Sequence, residues 1–114
     1  MKGSEKQIKW ADDIKANMKP DFDNLRSQLA GNAIALKAIN FVENLDLASF
    51  WIENRDSSPM TMLNEMVQSG LRIMGCEYSH NAKFNQSNGE ITITWTEIVD
   101  DGKGGHEETR EEVI

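Results

Sequence analysis

The sequence predicts an α+β domain: three or four N-terminal helices, then a C-terminal antiparallel β-meander of two or three strands. Three observations carry this. Apolar residues recur at three- and four-residue steps through about residue 75. The period changes to two at Ile91-Thr92-Ile93-Thr94-Trp95-Thr96, an alternating run rich in β-branched residues. Asn88-Gly89, just before that run, is a strong hairpin-turn signal. Helices laid on the apolar face of such a sheet would bury both. The 114 residues make one domain by length, helical over about 4–75 and β-hairpin over about 76–114.

The elements follow in order. Ser4-Glu5-Lys6-Gln7 has the form of a capping box, and Ile8, Ala11, Ile14 and Met18 mark one helix face. Pro20 disfavours helical geometry at Lys19, so the first helix is expected over 4–18. Pro20 can also open the next helix. Residues 21–45 read as one long helix or as two with a hinge at Gly31. Asp46 is the expected N-cap of a short helix over 47–54. Ser58 then caps a helix whose first residue is Pro59. Met60, Leu63, Met66 or Val67, Leu71 and Met74 continue at helical spacing, with Gly70 and Gly75 as candidate stops. An exposed methionine face on 59–74 would favour a homodimer, whereas inward methionines would fill the core. A strand drawn from about 76–86 should pair with 91–99. After the looser turn at 100–105, the glutamate-rich stretch 106–114 is expected as an edge strand or as partly disordered.

Composition excludes several classes. No run of about 18 apolar residues exists, so no membrane-spanning helix is expected, and Met1-Lys2-Gly3-Ser4 does not open a secretory signal. Cys76 is the only cysteine, which fits a reducing cytoplasm. The net charge of -7 is unevenly spread. Residues 1–40 carry seven basic and five acidic side chains, and residues 88–114 carry two basic and eight acidic. The acidic end repels nucleic-acid backbones and suits basic protein surfaces.

Two constellations are candidates for contact. Lys6, Lys9 and Trp10, with Lys2, form a basic stripe carrying an aromatic on the first helix. Such a stripe can touch phosphates and stack on a base; the plainer reading packs Trp10 at the core edge and solvates the lysines. Trp51 and Arg55 form the second. Phe50 and Trp51 should point different ways, one into the core and one partly out, and Arg55 could lie over the Trp51 ring four residues back. Exposed Trp and Arg are enriched at binding hot spots; the plainer reading is a cluster that fixes the short helix.

The acidic residues Glu97, Asp100, Asp101, Glu107, Glu108, Glu111 and Glu112 could trace a line of negative charge on the hairpin. Such a line could block a basic groove of a nucleic-acid-binding protein. The plainer reading is a solvated edge that prevents sheet-to-sheet aggregation. No chemistry emerges elsewhere. Cys76, His80 and His106 lack the paired spacing of a zinc site. Cys76 and His80, four residues apart on a strand, are about 13 Å apart, too far for proton transfer. The glycines of 102–105 lack the Lys-Ser/Thr of a phosphate-binding loop. No catalytic residue, cofactor or metal is therefore expected.

The segments Gly3-Ser4-Glu5-Lys6-Gln7-Ile8-Lys9-Trp10-Ala11 and Phe50-Trp51-Ile52-Glu53-Asn54-Arg55-Asp56 resemble the two signatures of a small module of uncharacterised phage and mobile-element proteins of Gram-positive bacteria. The resemblance covers roughly the first half of the chain. In that group the segments occur beside varied partners, which implies a structural or docking unit rather than a catalytic one, and no established activity comes with the resemblance. The expectation is thus a non-enzymatic, cytoplasmic interaction module that contacts a protein partner through Lys6, Lys9, Trp10, Trp51 and Arg55. The alternatives are an acidic inhibitor of a host nucleic-acid-binding defence protein, and direct nucleic-acid binding through the basic first helix.

Overall fold

The computed structural model describes residues 1–74 and 80–114. Gly75 and Cys76, a candidate helix stop and a candidate thiol, lie outside the described residues. Four helices precede a four-stranded sheet: α1 (Glu5–Gln28), α2 (Ala33–Glu43), α3 (Ala48–Glu53), α4 (Pro59–Gln68), β1 (Leu71–Met74), β2 (His80–Phe84), β3 (Ile91–Val99) and β4 (His106–Val113). The strands form an antiparallel meander in the order β1-β2-β3-β4. The α+β class is as expected, with one strand more.

The capping box forms as its residue types require. Ser4 Oγ accepts from the Gln7 amide at 3.2 Å, and Gln7 Oε1 accepts from the Ser4 amide at 3.0 Å. The helix does not end before Pro20, however, but runs through it to Gln28. An interior proline costs about 3 kcal/mol. Continuing the helix keeps Phe22 and Leu25 on the buried face that begins with Ala11, Ile14 and Met18. Burying two such side chains contributes about 1.5–3 kcal/mol each, enough to offset the proline. The ring of Pro20 itself stays exposed. The break comes instead around Gly31, and Asn32 caps α2 by accepting from the Ala35 amide.

Asp46 does not cap α3; Leu47 holds that position without a side-chain cap. The Asp46 carboxylate pairs with the N-terminal ammonium at 3.3 Å, and its carbonyl accepts from the Lys2 amide at 3.0 Å. A parallel bridge between Lys2 and Leu47 completes this tie. The chain start is thereby fastened beside α3, and this competing role takes the aspartate away from the cap.

At α4 the Ser58 cap and leading Pro59 are as expected. Helical spacing past Gly70 proved misleading. Gly70 adopts φ +94°, a left-handed geometry that closes the helix, and donates to Glu65 O at 2.6 Å. Leu71 and Ile73 are then buried on either side of exposed Arg72, which is the period of a strand. Met62 and Met66 are buried in the core, so α4 offers no exposed methionine face beyond Met60.

The sheet has one covered face. Leu71, Ile73, Ala82, Phe84 and Ile91 join the helical residues in one core. Residues opposite one another across the ladders share a face, so Asn81, Lys83, Thr92, Thr94 and Thr96 lie on the other side. β4 is an ordered edge strand, paired along β3 from Thr92↔Val113 to Val99↔His106.

Candidate functional site

The first surface is built by the start of α1 and the end of α3. The capping box fixes the first turn, so Ile8 and Ala11 face inward while Lys6, Lys9 and Trp10 face out. Trp10 is 48% exposed. Arg55 lies just beyond α3, and its guanidinium is held by Nη1 donating to Ile52 O at 2.7 Å. Its Cζ sits 5.4 Å from the centre of the Trp10 ring, a cation–π contact between two elements remote in sequence. Neither Lys6 nor Lys9 forms an ion pair among the described residues. Beside this patch, Asn17, Asp21, Arg55, Asp56 and Ser58 border an open, polar depression of about 340 Å³.

Trp51 is not part of this surface. It is fully buried, and so is its neighbour Phe50, against the expectation that one of them would face out. α3 is wedged between α1 and β1, so both of its aromatic directions find core. Trp51 packs edge-on against Phe22 at 6.1 Å and Phe50 at 5.1 Å, and its Nε1 donates to Leu45 O at 2.8 Å. The expected Arg55–Trp51 pair does not form, because α3 ends at Glu53 and the four-residue helical relation lapses there. Lys15 of α1 lies over the Trp51 ring at 5.1 Å instead. Of the five contact candidates, the structure brings Arg55 onto Trp10, leaves Lys6 and Lys9 exposed on the same first turns of α1, and buries Trp51 in the core.

The second surface is the far half of the β3–β4 hairpin, where a polar chain runs along the covered side of the sheet past the helices. His80 stacks on Trp95 with ring centres 5.2 Å apart and planes 8° from parallel. Trp95 Nε1 donates to Glu97 Oε1 at 2.8 Å. Arg110 donates through Nε to Glu97 Oε2 at 3.3 Å and reaches Glu108 Oε2 through Nη2 at 2.7 Å. His106 sits between two carboxylates, with Nε2 2.9 Å from Glu108 and Nδ1 3.1 Å from Asp101. Asp101 also accepts from the Lys103 and Gly105 amides, which organises the turn.

The electrostatics follow from these contacts. Hydrogen bonds to Glu108 and then Asp101 hold the His106 pKa above its ordinary value, because both ring nitrogens donate only in the charged form. Glu108 is pushed down by His106 and Arg110, Asp101 by the Lys103 amide and His106, and Glu97 chiefly by the Trp95 indole.

The seven carboxylates do not form one line. Glu97, Asp101 and Glu108 are engaged by Arg110 and His106. Glu107 and Glu111 lie on the open face of the sheet, Glu112 on the opposite face across from Ile93, and Asp100 in the turn. A two-residue period on a hairpin divides the acidic residues by parity, which the sequence run conceals.

The His80–Trp95–Glu97–Arg110–Glu108–His106 chain is not visible in the spacing of any one segment. The signal was the ladder register, since Trp95 opposite Arg110 and Glu97 opposite Glu108 follow from a short turn at 100–105. No group of three metal-ligating side chains converges among the described residues. No helix among them is long and apolar enough to cross a membrane. Compared with known protein families, curated proteins and solved structures, the chain matches none.

Proposed function

We propose that this chain is a non-enzymatic interaction module that binds a protein partner through Trp10 and Arg55, with Lys6 and Lys9 selecting an acidic contact surface. The observation that carries the reading is the half-exposed indole of Trp10 beneath a guanidinium held from a second element. An exposed Trp–Arg pair is pre-ordered, so little side-chain freedom remains to be lost on binding. The resemblance of the segments around Trp10 and Trp51 to an uncharacterised phage and mobile-element module, which implies a structural or docking unit, is compatible with the same reading. A bacterial cytoplasm is the compartment this reading implies, and a single cysteine is compatible with it.

The alternative of an acidic inhibitor has less support, because among the described residues Glu97, Asp101 and Glu108 are engaged in ion pairs, and Asp100, Glu107, Glu111 and Glu112 are divided between the turn and the two faces of the sheet. Nucleic-acid binding rests on one short stripe, Lys2, Lys6 and Lys9 beside Trp10, a small electrostatic footprint. The test is affinity capture from the bacterial host with the tagged chain and with a Lys6→Glu/Lys9→Glu variant, identifying both proteins and nucleic acid. The reading expects a protein partner that the charge reversal weakens and that salt weakens likewise. Capture of nucleic acid alone would overturn it in favour of the third reading.

A further inference from the structure

The open face of the sheet carries an ordered charge pattern that the Trp10 surface does not use. Arg72, Asn81, Thr94 and Glu111 are consecutive ladder partners, so they form one row across β1, β2, β3 and β4. A cationic residue stands at one edge, a carboxylate at the other, and two uncharged polar residues between them. The neighbouring rows add Lys83 and Thr92 beside Val113, then Thr96 beside Thr109, then Ile98 beside Glu107. The middle threonines are half-buried by their neighbours, while Val113 is 50% and Ile98 58% exposed. The helical core packs on the other side, against Leu71, Ala82, Phe84 and Ile91. The molecule is correspondingly thin, 18 Å along its shortest axis.

A row that runs from cation to anion is complementary to itself when turned over. We infer that this face is where a second copy of the chain docks, the two sheets stacking face to face about a two-fold axis parallel to the strands. That rotation preserves position along the strands and reverses strand order. It sets Arg72 over Glu111 of the second copy, Glu111 over the second Arg72, and Asn81 over Thr94 in both directions. An isologous contact of this kind closes as a dimer. Two sheets packed face to face lie about 10 Å apart with strands about 30° from aligned, and the β-branched threonine, valine and isoleucine side chains fill that gap. The face spans three strand spacings, about 14 Å, by about 30 Å along β3. Such a footprint is at the small end for a specific interface, so the dimer forms at micromolar or higher concentration. The inference uses a surface separate from Trp10 and stands or falls independently of the proposed partner.

The test is sedimentation equilibrium of the full chain over a concentration series, with thermal melts to verify folding. A reversible dimer of the 12.9 kDa chain is expected. Glu111→Arg and Arg72→Glu should each weaken it by about tenfold or more, through like charges facing across the axis. The double variant should restore it, and Thr94→Arg should abolish it at the centre. A wild-type chain that stays monomeric at millimolar concentration would overturn the inference. So would a dimer indifferent to Thr94→Arg or not rescued by the double swap.

Discussion

The helical half and the far half of the β3–β4 hairpin are held together by different forces. In the first, Trp51, Phe22, Phe50, Ile39, Met62 and Met66 are removed from water, and dispersion and burial dominate. In the second, β4 buries no residue, and order comes from the backbone ladder and a chain of partly exposed indole, carboxylate, guanidinium and imidazole groups. The same residue type shows the contrast. Trp51 is a core anchor, Trp95 a member of the polar chain, and Trp10 a half-exposed ring under the Arg55 guanidinium. A tryptophan's role here is set by how many elements converge on it.

The largest expected effect belongs to the buried half. Trp51→Ala should lower stability by about 3–5 kcal/mol, since it empties the junction of α1 and α3 and strands the Leu45 carbonyl. A denaturant titration reads this directly, and an unchanged midpoint would break the contrast between the halves. Next is Gly70→Val. A Cβ there would stand 2.4 Å from Asn81 Nδ2 in a backbone geometry that β-branched residues avoid. A loss of about 1–3 kcal/mol is expected in the same titration.

The hairpin should respond to pH where the core does not. His106 is stabilised in its charged form, so its contribution is fully present below its ordinary value of 6.5 and is lost as pH rises through its raised folded value. Glu108, Asp101 and Glu97 act in the opposite sense. Their contributions are present above their ordinary values of 4.5, 3.8 and 4.5, and are lost as pH falls through the lowered folded values. The tip should therefore be tightest between about pH 4.5 and 6.5, where these windows overlap. Amide hydrogen exchange across 101–110, corrected for intrinsic rates, would show maximal protection there, and His106→Gln should remove its alkaline limb. Protection independent of pH would show that the ladder alone orders the tip. The smallest effect on stability is expected for Trp10→Ala, within about 0.5 kcal/mol, because the ring is half in water.

Much of this was legible in the residues. The Ser4–Gln7 capping box, the Ser58-Pro59 helix start, the Asn88-Gly89 turn and the alternation of 91–96 are local signals, and local physics decides them. What stayed hidden depended on distant partners. Pro20 lies inside α1 because Phe22 and Leu25 have a core to reach, and Asp46 leaves its cap because the N-terminus lies beside it. In β1, Leu71 and Met74 also fit the three-residue step of a helix, and only the backbone at Gly70 separates helix from strand there. Arg55 found Trp10 rather than Trp51 because α1 and α3 pack together, which no spacing within one segment reveals.

Trp10 is proposed to serve a partner, whereas Trp51 serves the fold. The most direct measurement is parallel affinity capture from host lysate with the wild-type chain and Trp10→Ala, with thermal melts of both. Matching melts and loss of the captured partner from Trp10→Ala are expected. A variant that retains the partner, or one that melts as early as Trp51→Ala, would contradict that division of roles.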